Sequence, residues 1–389
     1  MIERARTKKL ARYAKTFPAI AIIGPRQCGK TTLAKAFVKS MEREYVYVDV
    51  EKASDRDKLE NPELFFADHR DKTVVIDEVQ LMPALFSALR SAIDEDRRPM
   101  RFLLLGSANP DIMKDTSETL AGRLAYLELQ PFNIEELKAH EISVGEHHFF
   151  GGFPNAILEK DSEARLDWLD NFIATYIQRD LPMYGLPTSP VQTRRLLEML
   201  AWLNGKLLDY SNIGKSLGVS HVTLKSYLEY LHASFVTMEL EPFHFNIKKR
   251  LTKSSKVYFR DTGVLHRFLK LANYNELLST PFLGNSWETY VINQIYSLKN
   301  DEVELFFYRT YSGAELDLVL AKGMKPMATV EIKFSEKPDL TRGNTTSIKD
   351  LGSTDNYVIV PGEQDYRKSE TIRVCGLRQF LEGYLPKFQ

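Results

Sequence analysis

Gly24, Gly29, Lys30 and Thr31 stand in the order G-x-x-x-x-G-K-T, the spacing of a loop that wraps phosphate groups. The two glycines admit backbone angles and close approaches that a Cβ would block. Across Gly24-Pro25-Arg26-Gln27-Cys28-Gly29-Lys30-Thr31-Thr32 the backbone N–H groups are expected to converge on an anion. They would do so at a helix N-terminus, whose partial positive charge favours negative ligands. Lys30 would reach the β- and γ-phosphates, and the Thr31 hydroxyl would ligate Mg²⁺. Farther along, Asp77 and Glu78 end an apolar run. Asp77 fits an outer-shell role toward the same Mg²⁺, and Glu78 fits polarisation of an attacking water.

A second group of reactive side chains lies near the other end. Asp317 sits in ELDLVL, and Glu331 and Lys333 sit in TVEIKF. Residues two apart on a strand share a face, so Glu331 and Lys333 point the same way. Asp317 can lie opposite them across a hairpin, which brings two carboxylates and an amine within reach of one metal ion. The same alternation also describes the solvated face of an amphipathic hairpin.

These residues need particular elements to hold them. The apolar run 19–23 predicts a buried strand ahead of the glycine loop, and a helix after it. Residues 44–50 and 71–77 predict two further strands. In a parallel sheet, acidic residues at a strand's C-terminal end face the ligand crevice. Another buried-type strand runs from Met100 to Gly106 and ends at Ser107 and Asn109. Between 163 and 181, apolar residues recur at three- and four-residue intervals, a buried helix face closed by Arg179 and Asp180. Pro182, Pro187 and Pro190 mark a linker. Residues 209–228 then predict a helix-turn-helix, with Ser211 and Ser220 as caps, Gly218 in the turn, and Val222, Leu224, Tyr227 and Leu228 on the apolar side. A wing follows from Phe235. His221, Thr223, Lys225 and Ser226 would face outward, and Lys248, Lys249, Arg250, Lys253 and Lys256 form a basic run suited to a DNA backbone. Winged helices also serve as packing modules.

With these motifs in place the chain resembles the AAA+ and related ATPases that carry an extra strand between the two nucleotide motifs. The resemblance makes Ser107, with Asn109 beside it, the polar residue that senses the γ-phosphate. It also makes Arg123, in LAGRLAYLELQPF, the arginine finger, acting on its own or a neighbour's ATP. The distal half resembles the PD-(D/E)xK nucleases, although Ala314-Glu315-Leu316 stands where the family places a proline before its aspartate. That resemblance implies Mg²⁺ held by Glu288, Asp317 and Glu331, with Lys333 orienting a metal-bound water toward a phosphate. Nearly the whole length is similar to a prokaryotic family that joins such an ATPase to a C-terminal domain of unassigned function.

The resulting expectation is an α/β chain: an AAA+-type P-loop ATPase domain at 1–130, a helical lid at 131–187, a winged helix-turn-helix at 188–258 and a nuclease-like α/β domain at 259–389. A length of 389 residues accommodates this. The formal net charge is zero, so nucleic-acid contact must come from local patches. Two cysteines exclude a disulfide framework and fit a reducing cytoplasm. No membrane partner is expected. ATP and Mg²⁺ are the implied cofactors, DNA the implied partner and a ring the implied assembly if Arg123 serves a neighbour. The leading functional expectation is ATP-driven DNA processing with metal-dependent cleavage. Its rivals are a nucleotide-switched regulator that binds DNA or protein without cutting, and a protein-directed ATPase.

Overall fold

The computed structural model describes residues 2–41, 43–109, 120–244 and 254–388. Lys248, Lys249, Arg250 and Lys253 of the expected basic run lie outside the described residues.

Five parallel strands form the first sheet: β1 (Ala19–Ile23), β2 (Tyr45–Asp49), β3 (Thr73–Asp77), β4 (Phe102–Gly106) and β5 (Leu124–Glu128). Their order is β2-β3-β4-β1-β5. Every residue of β1, β3 and β4 is buried, as expected where helices cover both faces. Alternation divides the core. Ala19, Ala21 and Ile23 join the cluster that includes Phe86 and Leu89 of the helix Leu85–Glu95. Ile20 and Ile22 join Leu33 and Phe37 of the helix Lys30–Ser40. Because β4 is inserted between β1 and β3, the residue following it stands between the glycine loop and Asp77.

The middle of the chain is helical. The helix Ser162–Thr175 continues into a π-helical turn, Tyr176–Asp180. The helix-turn-helix consists of Tyr210–Leu217 and His221–Ala233, with Gly218 left-handed at φ +71° between them. Asp209, rather than Ser211, caps the first helix by accepting from the Asn212 N–H, because the helix begins at Tyr210. Ser220 caps the second as expected. Leu224, Tyr227 and Leu228 are buried, but Val222 is 76% exposed, one position too early in the first turn to reach the core.

The wing strands β6 (Thr237–Pro242) and β7 (Lys256–Phe259) pair antiparallel, and β6 also pairs with β8 (Glu304–Arg309). The remaining strands are β9 (Glu315–Lys322), β10 (Lys325–Ile332), β11 (Asn356–Val360), β12 (Asp365–Arg367) and β13 (Ile372–Gly376). Together they make an eight-stranded sheet of order β12-β13-β11-β10-β9-β8-β6-β7. The expected division at 258 therefore falls within one sheet. The helix Leu283–Leu298 packs on it through Trp287, Val291, Ile292 and Ile295.

Candidate functional site

The glycine loop leaves β1 at Gly24 and enters its helix at Lys30. A Cβ on Gly24 would lie 2.0 Å from the Leu129 carbonyl oxygen, and Gly29 has φ +99°. Gln27 and Glu78 are also left-handed, at φ +61° and +54°. Such angles in non-glycine residues cost free energy and concentrate at ligand sites. The Cys28 side chain is buried, donates to the Leu129 carbonyl at 3.3 Å, and burial raises its pKa.

Three side chains then meet where β1, β3 and β4 end. The Lys30 ammonium donates to Ser107 Oγ at 3.0 Å and to the carbonyls of Gly24 and Pro25. Ser107 in turn donates to Glu78 Oε1 at 3.1 Å. Thr31 Oγ1 donates to Asp77 Oδ2 at 2.7 Å, and Tyr47 donates to the same oxygen. Gln80 donates to Glu78 Oε2. The donor set of hard oxygens on Thr31 and Asp77, beside a cradle that tolerates no Cβ at Gly24, fits a magnesium–triphosphate group. Pro25 is buried, while Gln27 and Thr32 face outward, with Asn155 donating to Gln27 at 3.4 Å.

Several partners of this loop are absent from any local motif. Arg4 reaches in from the N-terminal arm, donating to the Cys28 carbonyl at 2.8 Å and to Gln130 and Glu136. Arg26 donates to Asp180 at 2.8 Å and pairs with Glu51, which also meets Arg179. Burial pushes the Asp180 carboxyl up, against the pull of Arg26. Asn109, two residues beyond Ser107, donates its backbone N–H to the carbonyl of Ala233, the last residue of the second helix of the helix-turn-helix.

Arg123 is not brought to this group. It lies at the start of β5, level with Ala19 at the beginning of β1, and makes a two-pronged pair with Asp94 at 2.8 and 2.7 Å. In a parallel sheet that is the edge opposite the glycine loop. In this structure its side chain therefore points to Asp94 and not to Lys30 or Glu78.

The distal cluster also departs from expectation. Glu288, Asp317, Glu331 and Lys333 do share one neighbourhood. Lys333 Nζ is 2.5 Å from Glu331 Oε1, and Asp317 accepts the Ile332 N–H at 2.8 Å. Burial raises the Asp317 carboxyl, and burial with Asp317 nearby pushes Glu331 up to about 8. Yet among the described residues no three His, Cys, Asp or Glu side chains are arranged to hold a metal ion. The physical reason is Lys256. It is 3% exposed on β7, its ammonium 3.2 Å from Glu288 and 2.8 Å from Glu315. Burial opposes its charge, but Glu288, Asp317 and Glu315 outweigh that and hold its pKa above the ordinary lysine range. Lys256 thus leaves the expected DNA-facing run and stands with its ammonium among the expected metal ligands.

Residues 16–138 match the family described as AAA domain, 141–275 a domain of unknown function (DUF8612), and 283–380 another domain of unknown function (DUF4143). Uncharacterized protein Rv2008c of Mycobacterium tuberculosis is 34% identical over 374 residues, covering 96% of this chain and 83% of the relative. Uncharacterized protein Mb2031c of Mycobacterium bovis gives the same values. Among solved structures, a Walker-type ATPase of Pyrococcus abyssi aligns with TM-score 0.48 at 16% identity, covering 70% of this chain and 96% of that one. The replication initiator DnaA bound to AMPPCP and single-stranded DNA aligns with TM-score 0.32 at 14% identity, covering 59% and 86%. No described helix is long and apolar enough to cross a membrane. With its G-x-x-x-x-G-K-T loop, extra-strand sheet and relatives 34% identical over 374 residues, this chain belongs to the family of P-loop ATPases that join an AAA domain to a C-terminal domain of unknown function.

Proposed function

We propose that this protein is an ATP-hydrolysing switch that passes the state of its nucleotide to the winged helix, whose outward face meets DNA. One observation supports this reading above the others. Ser107 bridges Lys30 and Glu78, and two residues later the same segment is bonded to the end of the helix His221–Ala233. A change at the γ-phosphate that shifts Ser107 has only two residues of backbone to cross before it reaches that helix.

Glu78 is the group that would orient the attacking water, with Gln80 and Ser107 fixing its two oxygens. Lys30 would bear on the phosphate oxygens as charge moves toward the leaving group. Magnesium held by Thr31, with Asp77 behind it, would supply neutralisation of the phosphate charge. On the winged helix, His221 and Lys225 are exposed.

ATP turnover of three proteins tests the reading. Lys30→Ala should lose nucleotide binding and hydrolysis together. Glu78→Gln should retain binding and lose turnover by about 10²-fold or more, the usual worth of a positioned base. Wild-type turnover by Glu78→Gln would remove the mechanism. A rival reading, DNA cleavage, draws on the Glu331–Lys333 contact. Linear and circular DNA incubated with Mg²⁺ or Mn²⁺, with and without ATP, separates the two: intact DNA in every arm favours the switch.

A further inference from the structure

The carboxylate cluster of the C-terminal domain is partly buried and charged, with Glu331 and Lys256 at its buried end. Glu288, Glu315, Asp317 and Glu331 supply the acids; Lys256, Lys333 and Arg309 supply the cations, Arg309 reaching Glu315 Oε2 at 3.0 Å. Neutral donors complete much of the hydrogen bonding. Tyr258 donates to Glu288 at 2.5 Å, and the Ile332 N–H donates to Asp317. What remains is Glu331 Oε2, buried and without a partner on a residue only 4% exposed.

We infer that this cluster takes its positive charge from the chain's own Lys256 and holds no divalent ion, so that a site with the residues of a metal-dependent nuclease works as an internal strut. Lys256 is well suited to the substitution. A lysine ammonium is a compact point charge with three donors on a flexible stem, and a buried carboxylate needs such a partner or a metal. Lys256 and Tyr258 both come from β7, the outer wing strand, and both end on Glu288 of the helix Leu283–Leu298. Lys256 thereby ties the wing to the helix that packs on the distal sheet. A divalent ion at the same carboxylates would have to displace an ammonium that already has partners at 3.2 and 2.8 Å.

The test uses the nucleotide-free full-length protein, so that the glycine loop contributes no bound magnesium, and follows Mn²⁺ by electron paramagnetic resonance and calorimetry. Wild type should show no Mn²⁺ class tighter than about 1 mM, the weak end of oxygen-ligand sites. Lys256→Met, close in length and uncharged, should gain Mn²⁺ binding by tenfold or more, and adding Glu331→Gln should abolish the gain. Circular dichroism and gel filtration establish that each variant is folded. Should Lys256→Met fail to fold, wild type and Glu331→Gln decide alone. Micromolar Mn²⁺ binding by wild type that disappears in Glu331→Gln overturns the inference, and so does a folded Lys256→Met that gains nothing.

Discussion

Arg26, in the middle of the glycine loop, donates to Asp180 across 2.8 Å, and Asp180 closes a π-helical turn on the opposite side of the crevice. Both side chains are largely buried, at 13% and 4% exposure, so the pair is not an incidental surface contact. π-Helical turns recur at functional sites because they re-aim a side chain out of the regular helical register. An anion entering the loop would compete with Asp180 for Arg26.

Asp180→Asn removes the charge and leaves Arg26 with Glu51. We expect ATP binding and turnover to change by no more than about tenfold, whereas the protection that ATP gives to the segment 131–187 against a protease should be lost. Unaltered ATP-dependent protection in that variant would show that the pair does not report nucleotide.

Arg4→Ala should weaken ATP binding by about tenfold or more, the equivalent of 1.4 kcal/mol, without touching a phosphate directly. The guanidinium fork links the Cys28 carbonyl to Gln130 and Glu136, and removing it leaves buried acceptors unpaired. Arg4→Lys should recover little, because one ammonium cannot span that fork. Equal affinities for wild type and Arg4→Ala would reduce Arg4 to packing.

Arg123→Ala should leave the hydrolysis rate of a protomer unchanged within about twofold, since such exposed ion pairs do little. A large loss, rescued when Arg123→Ala is mixed with Lys30→Ala in one assembly, would instead assign it to a neighbouring subunit's ATP and establish a ring.

Stability should depend on pH through two groups of buried residues with opposite signs. Burial lowers His147 and His266 to about 4, and holds His148 well below the ordinary histidine value. Their stabilisation is complete above the unfolded value of about 6.5 and is lost as pH falls from there toward 4. Burial raises Glu288 to about 7 and Glu331 to about 8. Each keeps its proton to higher pH folded than unfolded, so their contribution is complete below about 4.5 and is lost as pH rises through 7 and 8. Between pH 6.5 and 8 only the carboxyls of these two groups act. Glu331 alone then accounts for about 2 kcal/mol, at about 1.4 kcal/mol per pH unit. Urea midpoints for wild type should fall across that window, and the slope should flatten in Glu331→Gln.

The nucleotide loop was readable from sequence because its chemistry is local. Gly24, Gly29, Lys30 and Thr31 fall within eight consecutive residues, and the strands that carry Asp77 and Ser107 are apolar runs ending in polar residues. Even the position of Arg123 had a signal: it precedes its strand, whereas ligand-facing residues in a parallel sheet follow theirs. Arg26 and Asp180 are another matter, for 154 residues separate them and no spacing rule joins them. Lys256 reads in sequence as part of a basic run, but it is buried on β7. The helix glutamate, the hairpin aspartate and the E-x-K pair lie in one neighbourhood. What the order of residues does not encode is a lysine from a neighbouring strand inserted among them.

The shared eight-stranded sheet has a mechanical consequence. The outer wing strand pairs with Thr237–Leu240 of β6, and β8 takes over at Glu241 and Pro242, so the ladder passes from wing to distal sheet at the carboxyl end of a single strand. A tilt of the wing would reach the distal half through those two residues and through Lys256 on Glu288.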